Sequence, residues 1–179
     1  MKETVFNANL IQTVNVIPLS LSHGLVQWAT GTDTFRAIIE QYRRLHSLDP
    51  MMEYQMADDL ADMTGYDYLE PIQKNYIMER IYEECPDDDL SKFFWLKTSH
   101  GNAENWVKRT LTYSVSLSIM SIVGYVIGLG DRHPSNLLMV RTTGKVVHID
   151  FGDCFEKAQR RKYLPEVVPF RLTRQLVRA

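Results

Sequence analysis

The sequence is poor in the features that most readily assign a chain to a class. It has two cysteines in 179 residues, Cys85 and Cys154, too far apart for a CxxC pair or a metal-ligand spacing. That excludes a disulfide scaffold and a cysteine-rich zinc module, and leaves two reduced thiols of an intracellular protein. There is no excess of positive charge: 20 Lys and Arg against 22 Asp and Glu give a formal net charge of −2. A nucleic-acid partner, which needs a concentrated basic surface, is therefore not expected. The opening MKETVFNANL has neither an apolar core nor a small-residue cleavage site, so no secretory leader is read there. Long hydrophobic runs are missing too. The densest stretch, Leu111 to Leu129, is interrupted by Ser114, Ser116, Ser118 and Ser121 and predicts a helix buried in a soluble core, not a membrane span. No internal repeat or low-complexity tract appears. What is present is an ordinary globular mixture, 45% hydrophobic and 23% charged, of a length that fits one domain or a piece of a larger one.

Local patterns divide the chain into short strands and longer helices. Thr13 to Leu21 (TVNVIPLSL) is β-branched and apolar and reads as a strand, and Leu25 to Trp28 as a second extended segment. After the connector Ala29 to Asp33, Asp33 is a suitable N-cap for a helix with Phe35, Ile38, Ile39 and Tyr42 at helical spacing. Residues 43 to 66 give no clear pattern. Asp67, with Glu70 three residues on, reads as the capping box of a helix with Pro71 in its first turn. Ile72, Tyr76, Ile77 and Ile81 would form its apolar face, and Cys85-Pro86 its end. A shorter helix capped by Asp87 or Asp88 would carry Leu90, Phe93, Phe94 and Leu96. The Gly101-Asn102 break precedes the long helix, which should end near Gly128. Leu137 to Val140 and Val146 to Ile149 are expected to pair as a hairpin, with Gly144 in the turn position that requires positive φ.

The chemistry lies in two strings, Gly130-Asp131-Arg132-His133-Pro134-Ser135-Asn136 and His148-Ile149-Asp150-Phe151-Gly152. Phosphoryl transfer needs little covalent help from a protein. It needs one group to orient the attacking hydroxyl and oxygen ligands for Mg²⁺. An Asp followed five residues later by Asn, and then an Asp-Phe-Gly after a hairpin, meets both needs. Asp131 and Asn136 have that spacing, and the hairpin returns Asp150 to Asn136 so that both can meet one metal ion. His133 lies two residues after Asp131, the reverse of the usual His-Arg-Asp order; it is read as catalytic or phosphate-contacting. His148 is read as structural, holding the Asp-Phe-Gly turn.

The inverted DRHxxN loop with HIDFG resembles the phosphatidylinositol-3-kinase-related superfamily. VIPLS (16 to 20), SIVGYVIGLGDRHPSN (121 to 136), HIDFGDCFE (148 to 156) and VPFRLTR (168 to 174) resemble the TOR protein kinases most closely. The resemblance runs from about Asn15 onward. It implies an α+β, bilobal protein-kinase-like (PI3/PI4-kinase) fold, mostly the helical large lobe with the last strands of the small lobe. Residues 1–28 would end the small lobe and start the hinge, and 29–179 would form the large lobe, incomplete, with a helical insert over 50–97. It further implies a serine/threonine kinase of growth and nutrient signalling using ATP with Mg²⁺ or Mn²⁺. Asn136 and Asp150 would be the metal ligands, Asp131 and His133 the catalytic residues. Trp28 would pack on the adenine, backbone near Ala29 would bond its edge, and Leu138 and Ile149 would form its floor. Trp28 could instead be ordinary core. The implied partners are protein substrates and a WD-repeat β-propeller subunit docked on 50–97, through apolar anchors (Ile72, Tyr76, Ile77, Ile81, Phe93, Phe94, Trp95) in an acidic rim of Asp87, Asp88 and Asp89. The implied location is the cytoplasm, with endomembranes or nucleus reached through complex partners.

Two departures qualify the resemblance. Met1 to Asn15 holds no Gly-rich phosphate loop, and its sole lysine is Lys2. The chain ends at Ala179, just past the activation segment. The expectation is a fragment, inactive by itself. A lipid kinase of the same superfamily remains the alternative, because Lys157, Arg160, Arg161 and Lys162 form a basic cluster suited to a phosphorylated headgroup. An inactive kinase fragment serving as a binding scaffold is the other.

Overall fold

The computed structural model describes residues 11–98, 102–160 and 168–179. The opening decapeptide, Gly101, and Arg161 and Lys162 of the basic cluster lie outside the described residues, as do the side chains of Trp95 and Leu96. The chain divides into two compact units, one built from residues 1–36 and 98–172, the other from 37–97 and 173–179.

The first unit holds both sheets. Strands β1 (Val16–Pro18) and β2 (Gly24–Val26) form an antiparallel ribbon pairing Ile17 with Leu25. Both are shorter than the sequence suggested. Pro18 lacks an N–H for the ladder, and a tight turn, in which the amides of Leu19 and Ser20 both donate to the His23 carbonyl, takes over. Strand β3 (Thr32–Thr34) pairs with β4 (Leu137–Val140), which pairs with β5 (Val146–His148), all antiparallel. The hairpin joining β4 to β5 is the expected one, with Gly144 at φ 76°. Asp33, expected as a helix N-cap, stands one residue before that position. It lies in β3, its carboxylate takes the Arg141 guanidinium in a bidentate pair at 2.7 and 2.8 Å, and helix α1 (Phe35–Leu45) begins two residues later.

Helix α5 (Ala103–Val126) is the spine of this unit. Asn102 caps it, its side-chain oxygen accepting from the amides of Glu104 and Asn105. The helix is buried along one face only, a correction to the fully buried helix expected. Tyr113, Ser116, Leu117, Met120, Ser121 and Gly124 face inward, while Leu111, Val115, Ile122 and Val126 stay exposed. The buried Ser116 hydroxyl donates to the Tyr113 carbonyl and accepts from the Val146 amide at 2.9 Å, pinning β5 to the helix. Among the described residues no helix is long and apolar enough to cross a membrane.

The second unit is helical. The stretch that gave no sequence pattern contains α2 (Met52–Ala61) and two 3₁₀ turns, Asp62–Thr64 and Tyr66–Tyr68. Helix α3 (Pro71–Glu84) starts four residues later than the Asp67 signal suggested. Pro71 takes the first helical position, where its missing N–H costs nothing. Glu70 and Gln73 form the capping box there, one frame beyond the expected one. Its inward face is Ile77 and Ile81, packed with Ala61 and Cys85, whereas Ile72 and Tyr76 are 79% and 61% exposed. Helix α4 (Asp89–Thr98) and the short α7 (Arg174–Arg178), which follows a single turn α6 (Glu156–Gln159) of the first unit in the chain, complete the unit. Arg174 donates to the carbonyls of Ile81, Tyr82 and Cys85 at the end of α3.

Arg43, only 1% exposed, holds this unit together. It donates to Asp89, to both oxygens of Glu53 and to the Pro50 carbonyl, and Gln175 of α7 adds a bond to the same Asp89 oxygen. Burial alone would raise the Glu53 carboxyl, but the bonds and charge of Arg43 hold it below its ordinary value of 4.5. Arg43→Ala leaves Asp89 buried with its charge partner gone and is expected to cost about 3–5 kcal/mol in urea unfolding. The sign of the pH dependence follows from the lowered carboxyl. Unfolded Glu53 binds its proton before the folded form does, so its stabilisation is present above about pH 4.5 and is lost as the pH falls through the folded value. Glu53→Gln should therefore flatten the loss of stability on acidification.

Candidate active site

Helix α5 ends in a Schellman motif. Gly128 takes a left-handed φ of 58°, the Leu129 amide donates to the Gly124 carbonyl and the Gly128 amide to that of Tyr125. Glycine is required twice over, since a Cβ at Gly128 would lie 3.1–3.2 Å from backbone atoms of Phe155. That close approach lets residues 127–130 run beside 153–155, with the Phe155 amide on the Ile127 carbonyl and the Gly130 amide on that of Asp153. The chain leaving α5 is thereby laid against the chain leaving the hairpin. The Arg36 amide, at the start of α1, holds the loop from its other side through the Pro134 carbonyl.

Within this frame the two motif strings meet. The Ile149 amide donates to the Asn136 carbonyl at 3.1 Å, continuing the β4–β5 ladder toward Asp150. Arg132 is buried and spans both strings. Its Nε donates to the Gly130 carbonyl at 2.8 Å, one terminal nitrogen to Ile149 at 2.7 Å and the other to Asp150 at 2.5 Å. Asn136 is buried, and its amide nitrogen donates to the Asp131 carbonyl at 2.9 Å, which leaves its side-chain oxygen as the group available to a ligand. Asp131 and Asp150 both have φ of 58°, and Phe155 of 56°. Left-handed backbone at non-glycine residues costs about 1–3 kcal/mol each and gathers where surrounding structure enforces it.

His133 is exposed, with Nδ1 accepting from the Ser135 amide at 3.2 Å. The ring proton therefore sits on Nε2, 4.0 Å from the Asp131 carboxylate. Asp150 is exposed at the surface, one oxygen accepting from the Gly152 amide. Among the described residues no three His, Cys, Asp or Glu side chains converge to hold a metal alone. An Asn and an Asp nevertheless fit Mg²⁺, which takes few protein oxygens and completes its shell with phosphate and water. Leu138 in β4 is buried and Ile149, just after β5, half-buried. Ala29 is half-buried, its carbonyl accepting the Thr32 hydroxyl at 2.7 Å. Trp28 is 83% exposed and is not part of the core formed by the described residues.

His148 is buried as a structural residue would be, yet neither ring nitrogen has a hydrogen-bond partner among the described residues. Burial, aided by the charge of Arg132, pushes it down to about 4, so the ring is neutral at pH 7. It lines a small cavity with Leu117, Ser121, Arg132 and Phe170 of the VPFRLTR string. The Asp-Phe-Gly turn is held by Arg132, a residue sequence reasoning passed over between two more conspicuous neighbours. Lys157 turns back onto the same segment, donating to the Gly152 carbonyl and pairing with Asp153.

Comparison with known proteins shows the family to which the chain belongs. The family profile described as phosphatidylinositol 3- and 4-kinase matches residues 2–179. The chain is 45% identical over 175 residues to the serine/threonine-protein kinase mTor of Drosophila melanogaster, covering 97% of this chain. It is 45% identical over 169 residues to the serine/threonine-protein kinase TOR of Oryza sativa subsp. japonica, covering 94%. The FAT and kinase domain of CtTel1 superposes with a TM-score of 0.77 at 29% identity, covering 94% of this chain and 12% of that one. The α+β fold is thus that of a kinase catalytic domain. This chain belongs to the phosphatidylinositol 3- and 4-kinase family, as a catalytic-domain segment about 45% identical to TOR kinases. It spans 7% of the length of those two relatives.

The close approach at Gly128 yields a paired test. Gly128→Ala and Gly31→Ala both place a Cβ on left-handed backbone, but nothing lies within 4 Å of the one at Gly31. Each should lose about 1–2 kcal/mol from conformation alone. Gly128→Ala should lose more in chemical denaturation, because the Phe155 backbone must also move; equal losses would show that the approach is not tight.

Proposed function

We propose that this segment transfers the γ-phosphate of ATP to serine and threonine hydroxyls of proteins, as part of a TOR-like signalling kinase with a bilobal fold. In this reading residues 1–28 close the small lobe and open the hinge, 29–179 belong to the large lobe, and 50–97 form an insert. The observation that carries it is the joining of the Asp131–Asn136 loop to Asp150 through buried Arg132. Asp131 orients the attacking hydroxyl and accepts its proton. Nε2–H of His133, beside it, donates to the transferred phosphoryl oxygen. The Asn136 side-chain oxygen and the Asp150 carboxylate would hold Mg²⁺, which when bound neutralises phosphate charge. Trp28, Leu138 and Ile149 enclose the adenine, and backbone at Ala29 bonds its edge. The engagement of Lys157 with Gly152 and Asp153 draws one cation of the basic cluster into the segment itself, which favours a protein over a lipid substrate.

The insert reads as the docking site of a WD-repeat β-propeller subunit, with a narrower set of anchors than the sequence suggested. Ile77, Ile81 and Phe94 are buried in the unit itself, and Asp87, Asp88 and Asp89 are paired with Arg178, Lys92 and Arg43. Tyr68, Ile72 and Tyr76 remain exposed at four-residue steps.

Two experiments test these readings. In a phosphotransfer assay on the protein that carries this segment, Asp131→Ala should lower kcat by about 10²–10⁴-fold with KM for ATP little changed. Asp150→Ala should instead weaken Mg²⁺–ATP binding. Full activity in both variants would refute the assignment, and transfer to phosphoinositide in place of peptide would establish the lipid alternative. In a pull-down, Ile72→Asp with Tyr76→Asp should abolish capture of the propeller subunit while leaving stability within about 0.5 kcal/mol per site, as exposed positions allow. Undiminished capture would rule out this face.

A further inference from the structure

We propose that Arg132 is the positioning residue of this site: its guanidinium sets the metal-binding carboxylate of Asp150 against the loop that carries Asp131 and Asn136. The inference rests on the reading of Asn136 and Asp150 as metal ligands and adds the part that holds them in register.

A guanidinium that is 5% exposed has given up its hydration and must be repaid by well-placed acceptors. The acceptors here are backbone carbonyls from both sides of the hairpin, Gly130 on the loop, and Ile149 and Asp150, seventeen and eighteen residues after Arg132 itself. A second contact to the loop, to the Asn136 carbonyl, is longer at 3.5 Å. Only a planar fork with donors on three nitrogens reaches separate oxygens in fixed directions; an ammonium is a single point on a flexible stem. The anchors are also the positions where conformation needs enforcing. Asp131, the residue before Arg132, and Asp150, whose own carbonyl it grips, both sit at φ 58°. Neither would keep that backbone without a neighbour that over-determines it.

Among the described residues the rest of the frame stops short of Asp150. The ladder bond from Ile149 to Asn136 ends one residue short of Asp150, and the bond from Gly130 to Asp153 begins three residues beyond it. Between them Asp150 is held through the Arg132 bond to its carbonyl and by its own carboxylate turning to the Gly152 amide. Loss of the guanidinium would leave the sheet and α5 joined while Asp150 lost its register with Asn136. Groups that orient metal ligands are commonly worth ten- to a hundredfold in metal affinity.

The test titrates Mn²⁺ alone into the ¹⁵N-labelled chain and follows paramagnetic broadening of the Gly152 and Asn136 amides, with circular dichroism to verify folding. Four proteins are compared: the parent chain, Arg132→Lys, Arg132→Gln and Asp150→Asn. Arg132→Gln is the second variant of the same position. The expected result is saturable broadening in the parent, its loss in Asp150→Asn, and an affinity about tenfold or more weaker in folded Arg132→Lys. If Asp150→Asn binds Mn²⁺ as the parent does, the metal reading fails, and the positioning role falls with it. If Asp150→Asn abolishes binding while folded Arg132→Lys and Arg132→Gln match the parent, the metal reading stands and the positioning role is overturned. Unfolding of both Arg132 variants would also overturn it, since the guanidinium would then hold the fold rather than the site.

Discussion

A cation withdrawn from water has to be matched by oxygen atoms, and in this chain that requirement shapes the candidate active site. Arg132 cannot be buried unless the carbonyls of Gly130, Ile149 and Asp150 arrive together. Their arrival brings the end of α5, the loop after it and the far end of the hairpin into one place. The other features of the first unit are the conditions for that meeting. The Schellman motif turns the chain out of α5, Gly128 admits the backbone of Phe155, and Ser116 ties β5 to the helix.

The second unit meets the same demand by a different route. Arg43 is buried against the carboxylates of Asp89 and Glu53, so charge answers charge. Opposed charges in a low-dielectric interior attract strongly, and breaking one side leaves the other stranded. Arg132 is gripped by dipoles spread over two segments, an arrangement that fixes direction more than it binds tightly. The first suits a helical unit that must stay assembled. The second suits a loop whose carboxylates must point the right way.

The similarity to TOR kinases and to the CtTel1 kinase domain sets these observations within a kinase family. Phosphoryl transfer is accelerated mainly by positioning and by charge stabilisation. In this chain the left-handed backbone of Asp131 and Asp150 lies beside a buried arginine.

Much of this was legible in the sequence. The spacing of Asp131, Asn136 and Asp150, the hairpin between them and Gly144 in its turn depend on a few neighbouring residues, and such signals survive in any context. The burial of Phe35, Ile38 and Tyr42 along α1 followed from helical period alone. Signals that compete locally were read less well. Asp67 offered a cap that Pro71 overruled, Asp33 was drawn into a strand by Arg141, and the apolar residues of α3 were split by a packing partner, α2, that the sequence had not revealed. The role of Arg132 was decided by tertiary structure alone. Its partners are backbone carbonyls from both sides of a hairpin, and since every residue carries one, such a contact leaves no letter in the sequence.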